Sequence, residues 1–129
     1  MRIFEDVLNK IQQILQISSS AYVYKEQCNK ISAFLNEMKS KLTNNKKYRS
    51  KKDKIKTILN PLNQLFDIVN TFQFENWAKF CFSINILDPI PQITANLNSI
   101  SEILKELNIT IETDYTSDQQ SIFKLKKTD

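Results

Sequence analysis

Runs of apolar residues spaced alternately three and four positions apart constrain the fold of this 129-residue chain more than any other sequence feature. Such a run places apolar side chains on one face of an α-helix. One short run comprises Phe4, Val7, Ile11, Ile14 and Ile17. The three longer runs comprise Ala21, Tyr24, Cys28, Ile31, Leu35, Met38 and Leu42; Ile55, Ile58, Leu62, Leu65, Val69 and Phe72; and Ile90, Ile93, Leu97, Ile100, Leu104, Leu107 and Ile111. The spacing predicts four amphipathic helices at about 3–17, 20–44, 51–73 and 88–109.

Helices joined by short connections tend to pack antiparallel to the next helix in the chain. We therefore predict an all-α protein, an antiparallel up-down-up-down four-helix bundle over residues 1–109, with crossing angles of about 20°. Residues 74–87 are expected to form an aromatic connection before the fourth helix, and residues 110–129 a brace or linker tail. Pro61 lies inside the third helix, where a proline removes a hydrogen bond, so we expect a kink there or a new start capped by Asn60.

The residues that the chain lacks exclude many kinds of functional site. It contains no glycine, and phosphate-binding loops, dinucleotide fingerprints and nucleophile elbows all need glycine backbones. It also contains no histidine, and its two cysteines fall short of the usual four-ligand zinc site. We therefore expect a protein that is not an enzyme, with no catalytic residues, no metal and no cofactor.

Apolar stretches in the sequence are too short to span a bilayer or to form the core of a signal peptide. The sequence thus favours a cytoplasmic protein with both thiols reduced. Cys28 lies on the apolar stripe of the second helix, so we expect it to be a buried small hydrophobic residue.

Positive charge is concentrated in one stretch of the chain, residues 39–56. It holds nine basic residues and one acidic residue, Asp53, for a net charge of +8, while the remainder of the chain carries −4. Lysines beside an anionic leaflet each contribute about 1 kcal/mol to binding, which makes the stretch a candidate for lipid contact. The candidate lipid-binding residues are Lys39, Lys41, Lys46, Lys47, Arg49, Lys51, Lys52, Lys54 and Lys56.

The same basic stretch has two other interpretations. The simplest is a solvated loop in a lysine-rich protein. Nucleic acid is a weaker candidate than lipid, because Tyr48 is the one aromatic residue within the stretch and single-strand binders interleave several stacking rings. We therefore expect no nucleic acid among the partners.

Aromatic residues cluster immediately after the third helix. Five large rings fall within eleven residues: Phe72, Phe74, Trp77, Phe80 and Phe82. Such a cluster can close one end of a helical core. Alternatively, it can form a partly exposed patch that binds a partner, with Phe74, Trp77, Phe80 and Phe82 as the contact residues.

Three short segments occur in an order that suggests a family. They are Tyr24-Lys25-Glu26-Gln27-Cys28, then Trp77-Ala78-Lys79-Phe80-Cys81, then Ile86-Leu87 leading through Asp88 into Asn96-Leu97-Asn98-Ser99-Ile100-Ser101-Glu102-Ile103-Leu104-Lys105-Glu106-Leu107. Together with the helix order and lengths over residues 3–109, they resemble the N-terminal four-helix bundle of the mixed lineage kinase domain-like (MLKL) proteins and of the related fungal HeLo-type and plant cell-death bundles.

This resemblance implies a signalling module of the cell-death type that oligomerises, binds anionic phospholipids and is recruited to the inner face of the plasma membrane. Basic residues of the bundle make the lipid contact in that family, and the stretch from Lys39 to Lys56 would take this role here. The resemblance also implies a kinase or pseudokinase domain as a partner, in the same chain or another. The alternative function is a docking or autoinhibitory module N-terminal to such a domain.

Overall fold

The computed structural model describes residues 2–44, 51–76 and 89–115, and all regular secondary structure within them is helical. The four long helices are named α1 (Arg2–Ser19), α2 (Lys25–Thr43), α3 (Lys52–Asn70) and α4 (Ile90–Glu106). Residues 74–76 are also helical, and no described residue lies in a β-strand. The predicted all-α class is therefore confirmed.

One hydrophobic core joins the apolar stripes of the four helices. Its central residues are almost fully buried: Val7, Ile11 and Ile14 from α1; Ile31, Leu35 and Met38 from α2; Ile58, Leu62 and Leu65 from α3; and Leu97, Ile100 and Leu104 from α4. Burying each such side chain contributes about 1.5–3 kcal/mol relative to leaving it in water. Phe34 of α2 is also fully buried, although it does not belong to the predicted stripe.

The most extensive helix packing joins α1 with α3, α3 with α4, and α1 with α2. Polar contacts show which helix ends lie next to each other. Gln73, just after α3, donates from Nε2 to the carbonyl oxygen of Ile17 at 2.8 Å, so α1 and α3 end side by side. Lys54 near the start of α3 pairs with Glu106 at the end of α4, with 2.5 Å between Nζ and Oε1.

Pro61 lies within α3 without interrupting it. The helix runs continuously from Lys52 to Asn70, so the predicted new start at Asn60 is wrong. The proline is buried, and Ile58 and Leu62 on either side of it are fully buried in the same core. Burial of both halves of the helix against one core offsets the hydrogen bond that proline removes.

Two residues adopt the left-handed backbone conformation that glycine usually supplies. Tyr24, with φ of 55°, precedes α2, which starts five residues later than predicted. The amide of Tyr22 donates to the carbonyl of Phe72 at 2.7 Å, and the ring of Tyr24 stacks on that of Phe72, so residues 20–24 form a turn rather than helix. Asn108, with φ of 63°, follows the end of α4.

The chain reverses direction at Asn108 in a Schellman motif. The amide of Ile109 donates to the carbonyl of Leu104, and that of Asn108 to the carbonyl of Lys105, both at 2.9 Å. Ile109 and Leu104 are both buried, and an apolar pair at these two positions commonly accompanies the motif. The reversal directs residues 109–115, which we call the strap, back along the helices.

The strap lies between α2 and α4. Its residues contact α2 in reverse order: Thr110 with Lys41, Glu112 with Glu37, and Asp114 with Lys30. At its far end, the hydroxyl of Tyr115 donates to Oδ1 of Asn98 on α4 at 2.6 Å. Since α2 and α4 are not among the helix pairs that pack extensively on each other, the strap fills the space between them.

Candidate functional site

Among the described residues of the predicted lipid-binding set, three lysines are available for contact with a partner. Lys51, Lys52 and Lys56 lie at the start of α3, where all three are exposed. None of them forms an ion pair with another described residue. Lys52 and Lys56 are four residues apart and therefore project from the same face of the helix. We call these three residues the free lysines.

The other three described lysines of the set contact residues of the bundle. Lys39 donates to Oε1 of Gln12 on α1 at 2.9 Å, and Lys54 forms its ion pair with Glu106. Lys41 donates to Oε2 of Glu37 at 2.8 Å and to the carbonyl of Thr110 at 2.5 Å. The structure thus divides the described part of the predicted set into the free lysines and lysines that link helices or hold the strap.

The remaining basic residues of the set lie outside the described residues; these are Lys46, Lys47 and Arg49. The described basic side chains of the stretch lie in the last turns of α2 and the first two turns of α3, which are successive helices in the chain. The negatively charged residues within these turns are Asp53, which is exposed, and Glu37, whose carboxylate is hydrogen-bonded to the strap.

Glu37 accepts more hydrogen bonds than any other side chain in the described structure. Besides the bond from Lys41, its carboxylate accepts the amide of Glu112 at 2.8 Å, the amide of Thr113 at 3.0 Å and the Thr113 hydroxyl at 2.7 Å. Partial burial raises the pKa of this carboxyl, but the hydrogen bonds outweigh burial and lower the pKa from 4.5 to about 2. The Glu37 contact likewise raises the pKa of Lys41. The strap is therefore held by a carboxylate that stays ionised.

Glu37 and its partners were not identified as functional residues from the sequence. The spacing of Glu37 and Lys41 indicates an ordinary i,i+4 pair on a helix. The strap contacts join residues 69 to 84 positions apart, and no local pattern reports such a pairing.

The predicted partner-binding aromatics are only partly described. Phe74 is 60% exposed and Tyr22 is 53% exposed, and their rings pack edge to face with centroids 4.8 Å apart. These two are the exposed large hydrophobic residues of the described chain. Phe72, by contrast, is completely buried. Trp77, Phe80 and Phe82 lie outside the described residues.

Two further observations concern membranes and metals. None of the described helices combines the length and apolar character that a bilayer crossing requires. In the same part of the chain, no group of three or more cysteine, aspartate or glutamate side chains is arranged as a metal-binding cluster.

Comparison with known proteins gave no identification. No family model matches the sequence, and no curated protein or solved structure is significantly similar to it. The function must therefore be argued from the residues themselves.

Proposed function

We propose that this protein is a non-enzymatic signalling bundle of the MLKL-like, cell-death type that oligomerises and binds anionic phospholipid membranes through its basic stretch. The observation that supports lipid binding best is the set of free lysines at the start of α3, exposed and without an ionic partner among the described residues. In the cell, the protein would be cytoplasmic and recruited to the inner face of the plasma membrane.

The proposal includes an antiparallel up-down-up-down arrangement of the four helices. The side-by-side ends of α1 and α3 support a parallel orientation of these two helices. The ion pair between Lys54 and Glu106 supports an antiparallel orientation of α3 and α4, since it joins the start of one to the end of the other. This arrangement brings the end of α2 and the start of α3 to the same end of the bundle, where their lysines can face one surface.

The expected strength of the membrane interaction follows from charge. Three lysines near an anionic leaflet contribute about 3 kcal/mol, or roughly a hundredfold in affinity. Such binding is reversible and depends on lipid composition, as suits a recruited signalling protein rather than a permanently anchored one.

Co-sedimentation with vesicles containing phosphatidylserine or phosphoinositides tests the proposal. The variant Lys52→Glu/Lys56→Glu should bind at least about tenfold more weakly than the unmodified chain. The matched control Lys10→Glu/Lys25→Glu changes the net charge by the same amount away from the basic stretch, and it should retain most of the binding. Equal losses in the two variants would show that net charge alone is responsible and would refute a defined lipid-binding surface.

A docking module for a kinase or pseudokinase domain is the second candidate function. The exposed pair Tyr22 and Phe74 favours it, because large exposed aromatic rings are typical of contact surfaces between proteins. Phe74→Ala should then weaken capture of such a domain from solution without changing vesicle binding. Lys52→Glu/Lys56→Glu should instead weaken vesicle binding without changing capture of the domain.

A further inference from the structure

The groove between α2 and α4 binds the strap largely through the strap's main chain. Lys41 donates to the carbonyl of Thr110, and Lys30 donates to the carbonyl of Asp114 at 2.9 Å. Between them, Glu37 accepts the main-chain amides of Glu112 and Thr113. Main-chain contacts of this kind recognise an extended segment whatever its side chains are.

Side-chain contacts make the groove selective for the strap's own sequence. Ile109 is buried in the core, and Ile111 packs against it. The ring of Tyr115 meets that of Phe34 edge to face, with centroids 5.1 Å apart, and the Thr113 hydroxyl bonds to Glu37. An identical segment from a second copy of this chain meets all of these requirements.

The hinge that closes the strap onto its own bundle is conformationally costly. Asn108 must adopt a left-handed backbone, which disfavours every residue with a Cβ, although asparagine less than most. If the hinge opens, the strap can extend away from α4 and occupy the groove of another molecule. Exchange would preserve the strap's contacts with α2 and with Asn98 and would relax Asn108, at the cost of the two Schellman hydrogen bonds to Leu104 and Lys105. Its extent would depend on concentration.

We propose that two copies of this chain exchange straps, with residues 109–115 of each occupying the groove between α2 and α4 of the other. The inference deepens the oligomerisation part of the proposed function and rests on it. It does not depend on lipid binding.

Photo-crosslinking tests the exchange directly. Tyr115 is replaced by the photoreactive p-benzoylphenylalanine, whose ring would lie against Phe34, and heavy-isotope and light-isotope copies of the chain are mixed before irradiation. Exchange predicts covalent dimers that join a heavy and a light chain, with the crosslink on α2 around Phe34 and a yield that rises with concentration. The same photoreactive residue at exposed Thr57 of α3 is the control and should give few dimers.

Hinge variants test the role assigned to Asn108. Asn108→Val keeps the amide donor but disfavours the left-handed conformation, and it should strengthen self-association by roughly tenfold. Asn108→Gly removes the conformational cost and should weaken self-association. Light scattering measures the dimer fraction, and circular dichroism confirms that each variant is helical.

The outcomes separate this inference from the function it rests on. Dimers whose crosslinks fall outside α2 would overturn strap exchange while leaving oligomerisation intact. If the unmodified chain and Asn108→Val both stay monomeric at every accessible concentration, strap exchange and oligomerisation would both be overturned. Lipid binding would still be tested by the vesicle experiment. Dimers crosslinked at α2 and favoured by Asn108→Val over Asn108→Gly would support the exchange.

Discussion

At the scale of single residues, Glu37 links the strap to the bundle. Its carboxylate receives one ammonium, two amides and one hydroxyl. Hydrogen bonds to a charged group are stronger than those between neutral groups. Replacing this side chain leaves two main-chain amides of the strap without their acceptor. The substitution should therefore destabilise the strap as well as remove the ion pair with Lys41.

Glu37→Gln should lower the free energy of unfolding by about 1–3 kcal/mol, because the neutral amide accepts fewer and weaker bonds from the strap. Urea denaturation at neutral pH measures the change. Glu102→Gln, at an exposed glutamate of α4, is the matched control and should stay within about 0.5 kcal/mol of the unmodified protein. Equal effects of the two substitutions would argue against a special role for Glu37.

The stabilising effect of Glu37 should also depend on pH. Its pKa is about 2 in the folded protein and 4.5 as the ordinary value, so the folded state binds its proton less readily than the unfolded state does. The contribution is complete above pH 4.5 and is lost as the pH falls towards 2. The difference in unfolding free energy between the unmodified protein and Glu37→Gln should therefore shrink over this interval; a constant difference would contradict the assignment.

At the scale of elements, the helices and the strap are held by different forces. The helices share a continuous hydrophobic core, whereas the strap depends on Ile109, Tyr115 and the polar contacts of α2. Elements with few buried apolar contacts open at lower free-energy cost than the core. The strap should therefore open independently of the helices.

Tyr115→Ala should release the far end of the strap by removing its contact with Phe34 and its bond to Asn98. Amide hydrogen exchange at Glu112 and Thr113 should then accelerate, while exchange in the centres of α1 and α3 stays near its original rate. Tyr115→Phe keeps the ring contact and should have a smaller effect. Acceleration throughout α1 and α3 would mean that strap and helices open as one unit.

At the scale of the whole molecule, charge is distributed unevenly along the chain. The basic stretch carries a net charge of +8 against −4 for the remainder. The described structure reduces the number of cations available within that stretch, because Lys41 and Lys54 form ion pairs and Lys39 bonds to Gln12. Within the described part of the stretch, fewer cations are thus available to a partner than the sequence alone indicates.

Binding to anionic vesicles should weaken steeply as salt is added, since the screening length falls from about 10 Å at 0.1 M to about 3 Å at 1 M ionic strength. Co-sedimentation over a salt series measures this dependence, with uncharged vesicles as the reference. Binding that persists unchanged in high salt would indicate apolar insertion, and would direct attention to Tyr22 and Phe74 instead.

The sequence predicted the helices well because the apolar residues at helical spacing are the ones that become buried. Residues such as Ile31, Leu62 and Ile100 are fully buried where the spacing placed them, and Cys28 is buried as expected. The start of α2 was misplaced because the turn before it depends on a distant bond from Tyr22 to Phe72. The sequence predicted a brace or linker tail over residues 110–129 but not the contacts of the strap, since Glu37 meets Thr113 only after the chain has folded.

For the candidate site, the sequence predicted the charge but not its availability. Counting lysines does not distinguish Lys52, which is free among the described residues, from Lys54, which pairs with a glutamate 52 positions away. That distinction depends on how α3 and α4 lie against each other. The MLKL-like function and the lipid role remain predictions that the vesicle experiments address.

Cys28 offers a practical consequence of the tight core. Its side chain is 1% exposed, and burial raises the pKa of its thiol to about 11, so that neither access nor ionisation favours attack on an alkylating reagent. In a Cys81→Ser background, the rate at which iodoacetamide consumes this thiol would time the rare excursions in which the bundle comes apart. Mass spectrometry of this alkylation would thus report how often the core opens, with a native side chain as the reporter and no attached label.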